Sequence, residues 1–397
     1  MSNAQLEAPT QLDHDQLVEA AENLVPLLRQ KARDAEIARR PLDEVIDAIR
    51  DSGLFALFVP RRHGGHEADI DTFFEVALTL SRADASMGWL AAFYMEHAFW
   101  FCNFPESFQK EIFSERPYVL APGSLSLAGA SAEEVDGGYR LSGTWQWGTG
   151  IVHADWAMVG AMQSDADGNL APRFFAVPRE EVETIDTWYV SGMCSTGSLD
   201  LKIDDVFVPE DRCIDMIGLI NADVPDQIHH APVFQTPLVP ILGFASALSI
   251  LGAAQGALEE YQTQTKKKIA AKQQRAGGTI TDEGKPSVVA SAALTIEAAE
   301  LLLRDVLRDV MEQRNTAPPE TRGAWITRMA HAVFMCRGAV QDILSVTGAS
   351  GSRLESPIQK AMRDIATGSN HIIFDRESRY ADYGRSLLDQ PIQSFLV

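Results

Sequence analysis

Cysteine is scarce in this chain: 397 residues hold only Cys102, Cys194, Cys213 and Cys336, far apart and never as CxxC. That spacing excludes a disulfide scaffold and a structural zinc site, and it points to a reducing cytoplasm. Basic residues are few as well. Against 55 Asp and Glu stand 34 Lys and Arg, giving a net charge of −21 and a pI near 4.8. Such a surface repels nucleic acid and anionic membrane, so neither is expected as a partner. No basic stretch leads into an apolar one at the N-terminus, so no signal peptide is expected. The apolar run Met87 to Phe101 contains Glu96 and His97 and falls short of the ~20 residues that cross a bilayer. It reads as a buried helix of a soluble protein. Several catalytic signatures are missing too. There is no GxGxxG after a strand, no GxxxxGK[ST], no GxSxG and no HExxH. His63-Gly-Gly-His66 has no third ligand nearby, so no metal is assigned.

What is present has the balance of a globular protein, 46% hydrophobic and 22% charged, in a length that suggests two or three packed units. Three textures follow one another. Residues 1–116 carry helical periodicity, with LVEAAENLVPLLRQKARDAEIAR as one amphipathic stretch and Pro41 early in the helix LDEVIDAIRDSGLF. Residues 117–228 hold short runs rich in β-branched and aromatic residues, bounded by Gly, Asp and Pro, the signature of an antiparallel sheet or small barrel. Residues 229–397 return to four long helical segments, the last of them PIQKAMRDIATGSNHIIFDRESRYADYG, which predicts an antiparallel bundle. The predicted fold class is α+β and mostly helical, with a helical domain, a central antiparallel β domain and a C-terminal four-helix bundle.

A few residues stand out chemically. His97 and Glu96 are the only readily ionisable groups in a segment apolar on every side; His97 is either a core histidine bonded to a carbonyl or a group with a tuned pKa. At 100° per residue, Ile358, Met362, Ile365, Ile372 and Ile373 form one stripe, and His371 falls opposite with Lys360 and Asp364. Periodicity alone makes that face solvated. Trp145 and Trp147, leading into Gly148-Thr149-Gly150, offer an aromatic wall, a hydroxyl and backbone N–H groups to a planar heterocycle, or else an ordinary turn. Ser191 to Ser198, including Ser195 and Thr196, is a run of small residues that permits close approach of a ligand. Lys266 to Lys268 read as a solvated basic face.

Five segments, in order, resemble the acyl-CoA dehydrogenase fold: GLFALFVPRRHGGHEAD, ADASMGWLAAFYMEHAFW, DGGYRLSGTWQWGTGIVHADWAMVGA, WYVSGMCSTGSLDLKIDDVFVPEDR and SPIQKAMRDIATGSNH. Within that fold the chain is similar to the oxygenase components of two-component flavin-dependent monooxygenases of the p-hydroxyphenylacetate hydroxylase type. A dehydrogenase needs a carboxylate to abstract a proton, and Ser369 to Ile372, where one would follow Arg363-Asp364, supplies none; Glu259 or Glu260 keeps that alternative open. A non-catalytic flavin-fold protein is the other alternative. The resemblance implies reduced flavin (FMNH2 or FADH2) delivered by a separate reductase, O2 as co-substrate, and a flavin 4a-hydroperoxide that hydroxylates an aromatic or heteroaromatic small molecule. It implies that His97 and His371 orient and polarise the substrate. Trp147, Gly148, Thr149, Ser195, Thr196 and Ser198 would hold the flavin, with Thr149 protecting the peroxide. It also implies a homotetramer.

Overall fold

The computed structural model describes residues 11–394 apart from 166, 226 and 277–283. Five helices come first: α1 (His14–Ala38), α2 (Asp43–Asp51), α3 (Ile70–Ala83), α4 (Ala85–Phe101) and α5 (Glu106–Ile112). Asp13 opens α1 with a capping box to Gln16, and Arg39 closes it in the left-handed conformation. Pro41 lies just ahead of α2 instead of inside it, because Leu42 is the N-cap. The run read as a buried helix is α4, and every one of its residues is buried.

Eight strands follow: β1 (Gly123–Ser124), β2 (Ala130–Val135), β3 (Gly138–Gly148), β4 (Trp156–Ser164), β5 (Leu170–Pro178), β6 (Glu183–Ile185), β7 (Leu199–Pro209) and β8 (Cys213–Asp215). They form one sheet in the order β6-β7-β3-β2-β4-β5-β8, with β1 beside β4. Most pairings are antiparallel, as expected, but β4 runs parallel to both β1 and β2. The expectation of two tryptophans on one wall needs correction. The β3–β7 register shifts between Trp145 and Gly148, so the period of two breaks there. Trp145 turns into the sheet's own core and donates to the Gly160 carbonyl at 2.8 Å, whereas Trp147 is 52% exposed.

The chain returns to helix in α6 (Met216–Asn221), α7 (Leu238–Ala276), α8 (Pro286–Gln313), α9 (Pro319–Ser345), α10 (Pro357–Gly368) and α11 (Arg376–Leu387). The fourth bundle segment is thus two helices, not one. Ser369 caps α10, and His371 opens a single 3-10 turn that redirects the chain into α11. Ile372, expected in the apolar stripe, is 67% exposed as a result. By length and composition α7 and α8 could each cross a membrane; the most apolar 18-residue stretch of α7 is 94% buried in the core, and that of α8 only 22%.

One continuous apolar core joins the N-terminal helices to the bundle, and a second lies within the sheet. Three helices approach closely at Ser81, near the end of α3. A Cβ on Gly252 of α7 would come within 2.6 Å of Ser81 Cβ and 2.7 Å of the Arg82 nitrogen, and one on Gly88 of α4 within 2.5 Å of Ser81 Cα. Only glycine lets three backbones approach so closely. Gly252→Ala is expected to lower stability by about 1–3 kcal/mol, the cost of an overpacked core, read as an earlier urea midpoint with an unchanged slope.

Candidate active site

The close approach at Ser81 brings Asp84, the N-cap of α4, against α10. Asp84 accepts from the Met87 amide at 2.9 Å, and its other oxygen faces Lys360 Nζ at 2.5 Å. Lys360 also reaches Asp364 at 2.7 Å, and Asp364 Oδ1 accepts from the Met193 amide at 2.6 Å. All three side chains are buried, so the solvated face expected for Lys360 and Asp364 does not exist. Burial alone would lower the Lys360 pKa, but the two carboxylates outweigh it and raise it. Burial, together with the neighbouring Asp84 charge, pushes the Asp364 carboxyl up. This clamp fixes the start of α4, the middle of α10 and the loop at Met193 to one another.

That loop carries the small residues. Trp188 donates to the Met193 carbonyl at 3.0 Å, and Thr196 Oγ1 does so at 2.9 Å. A hydroxyl chain then runs from Thr196 through Ser198 (2.7 Å) to Thr149 (3.0 Å). The Gly150 amide donates to the Thr196 carbonyl at 3.0 Å. The structure therefore brings Thr149, Thr196 and Ser198 together, with half-exposed Trp147 beside Trp188 at 5.9 Å between ring centroids. Gly148 is buried against Leu201, where it contributes backbone alone. Ser195 is fully buried and its Oγ has no partner among the described residues. An aromatic wall, a row of hydroxyls and one orphaned hydroxyl fit a planar heterocycle with a polar edge.

Across from this loop lie the two histidines. His371 is half-buried, with its ring edge-on to Trp89 (5.6 Å) and Phe93 (6.0 Å), which stack on each other at 4.8 Å. Its Nδ1 accepts from the Ile373 amide at 3.4 Å, which puts its hydrogen on Nε2. His97 meets the same Phe93 at 5.4 Å and Trp100 at 4.9 Å, and its Nδ1 donates to the Ala121 carbonyl at 2.7 Å. Burial lowers both imidazoles to about 4, so both are neutral at ordinary pH. Glu259 and Glu260 offer little as bases. Glu259 is about half exposed and paired with Arg29 at 3.0 Å, and Glu260 accepts from Gln264 at 2.7 Å. Both line a cavity of about 330 Å³ on the α7 side of the clamp.

Residues 244–376 match the family described as acyl-CoA dehydrogenase, C-terminal domain. The chain aligns with a pigment production hydroxylase of Rhodococcus sp. (strain ATCC 21145), 33% identical over 96% of this chain and 98% of the relative. An FADH(2)-dependent resorcinol hydroxylase oxygenase component from Rhizobium sp. (strain MTP-10005) is 33% identical over 98% of this chain and 97% of its own. The crystal structure of the HsaA monooxygenase from M. tuberculosis superposes with a TM-score of 0.89 at 28% identity, covering 96% of this chain and 99% of that one. The chain belongs to the oxygenase components of flavin-dependent two-component monooxygenases. The oxygenase thus has the acyl-CoA dehydrogenase-like fold its five sequence segments suggested.

Sequence reasoning missed Asp84, Lys360 and Asp364 as a unit, along with Trp89 and Phe93 as the rings beside His371 and Trp188 as the ring beside Trp147. Lys360→Met is expected to destabilise the oxygenase by about 3–5 kcal/mol, because it leaves two buried carboxylates uncompensated; chemical unfolding measures it. Lowering pH should act through the histidines. Below about 6.5 an unfolded imidazole takes a proton, while the folded ones stay neutral down to about 4. The imidazoles' share of the stability should therefore fall as pH drops from 6.5 to 4, opposed by the raised carboxyls of Glu96 and Asp364, and His97→Asn should reduce that fall.

Proposed function

We propose that this oxygenase hydroxylates an aromatic or heteroaromatic small molecule in the space bounded by Trp89, Phe93, His371 and the Met193 loop. The observation that carries the reading is His371: a neutral imidazole whose Nε2 has no partner among the described residues, set against stacked aromatic rings with no free carboxylate beside it. Bound reduced flavin, FMN or FAD, supplies the activation of O2, and a separate reductase supplies the reduced flavin.

The chain's own residues do the rest. Trp147 and Trp188 give the flavin ring a wall; the Gly148 backbone, Thr149, Ser195, Thr196 and Ser198 give its polar edge partners. Thr149 stands nearest the open side of that row, and its hydroxyl holds the edge in place. His371 Nε2–H donates to the substrate oxygen, which holds the ring in place and stabilises negative charge that develops on that oxygen. His97 orients the substrate from the far side of Phe93. The aromatic lining keeps water out, which limits wasteful release of hydrogen peroxide. We assign residues 1–116 and 229–397 to the helical domains and 117–228 to the β domain. A homotetramer is supported by α8, where Leu294 and Leu301 are 66% and 62% exposed. Four unpaired, buried cysteines support a cytoplasmic setting.

Mixing anaerobically reduced flavin and protein with oxygen tests the reading. Reoxidation slower than that of free flavin, coupled to product, supports it; reoxidation at the free rate without product refutes it. His371→Ala should lower product formed per flavin consumed by roughly tenfold or more, with hydrogen peroxide rising in step. Thr149→Ala should speed hydrogen peroxide release even without substrate, and an unaltered rate would remove Thr149 from the site.

A further inference from the structure

Glu96 has no role in the reading above, yet it is a poorly accommodated side chain at the heart of α4. It is fully buried; Oε1 accepts the Trp100 indole N–H, and Oε2 has no hydrogen-bond partner among the described residues. His97 Nε2 lies 3.2 Å from that oxygen. A buried carboxylate served by a single neutral donor is costly.

The Ala121 carbonyl settles the histidine's side of this contact. A carbonyl only accepts, so His97 Nδ1 carries the ring's hydrogen and Nε2 holds a lone pair. A lone pair facing a carboxylate oxygen at 3.2 Å repels it, and the contact becomes attractive only with a hydrogen between them. Nδ1 already carries the neutral ring's one hydrogen, so the hydrogen in this contact belongs to Oε2. A carboxylic O–H can swing toward the nitrogen.

We propose that Glu96 is a neutral carboxylic acid whose Oε2–H donates to His97 Nε2, fixing that imidazole's tautomer, angle and lack of charge. Glu96 is then a positioning residue for the oxygenase reaction: with both nitrogens engaged, His97 acts on the substrate through its packing against Phe93, and the proposal rests on the reading of that ring as part of the substrate site. Burial acts in the same direction, pushing the Glu96 carboxyl well above its usual range and His97 down. Neither group has a charged neighbour among the described residues that opposes this. Phe93 and Trp100 face the pair from α4, Ala121 and Gly123 from the segment entering β1, and Phe174 of β5 backs Trp100. Gly123 leaves the ring its place, since a Cβ there would sit 2.8 Å from Nε2.

The infrared difference spectrum between the wild type and E96Q near neutral pH tests the proposal directly. The carbonyl stretch of a protonated carboxylic acid is expected in the wild type and absent from E96Q; a carboxylate band in its place overturns the proposal. Glutamine keeps an acceptor for Trp100 and a donor for His97. E96Q should therefore retain its product yield per flavin, while E96L should lose about fivefold, the size of one neutral hydrogen bond. Equal yields in E96Q and E96L also overturn it. The infrared band needs no flavin, substrate or turnover and no folded E96L. A protein that hydroxylates nothing would sink the functional reading and leave this one standing.

Discussion

One ammonium between two buried carboxylates holds the oxygenase's site together. Lys360 joins Asp84 at the head of α4 to Asp364 in α10, and Asp364 passes the constraint on to the Met193 amide. From α4 come Trp89, Phe93 and His97; from the end of α10 comes His371; from the Met193 loop come Ser195, Thr196 and Ser198. Three segments far apart in sequence are thus aligned by hydrogen bonds that exist only when all three are in place. The geometry is costly to desolvate, and its return is positional: a buried charge pair specifies one arrangement more strictly than apolar packing does.

Around this clamp the site is arranged to be polar without being charged. The imidazoles of His97 and His371 are lowered by burial, and the hydroxyl row from Thr149 to Thr196 is neutral. Asp84 and Asp364 are tied to Lys360, and Glu259 on the far side to Arg29 and Arg82. A dehydrogenase of this fold needs a free carboxylate over its substrate; this chain spends its nearby acids on structure. That difference in where charge resides separates the two chemistries more sharply than the shared architecture does.

Much of the fold was legible in the residues because the pattern and the environment agreed. A segment apolar on every side, Met87 to Phe101, can only be buried, and α4 is. The change from helical to strand texture near residue 117 was equally plain, since β-branched runs bounded by Gly and Pro leave few alternatives. The clamp was not legible. Opposite an apolar stripe, Lys360 and Asp364 look the same whether they meet water or a partner, and Asp84 is 276 residues from Lys360. His371 was misplaced on a helix face because Gly368-Ser369-Asn370, a helix stop, was read through. The split between Trp145 and Trp147 depends on a register shift against β7, which no local period reveals.

The most direct test of this account is a crystal structure of the oxygenase with reduced flavin bound. The account predicts the ring against Trp147 and Trp188, with its polar edge on Thr149 and Ser195 and His371 facing the space beside it. A ring seated instead among Arg29, Arg82 and Glu259, beyond Lys360, would contradict it.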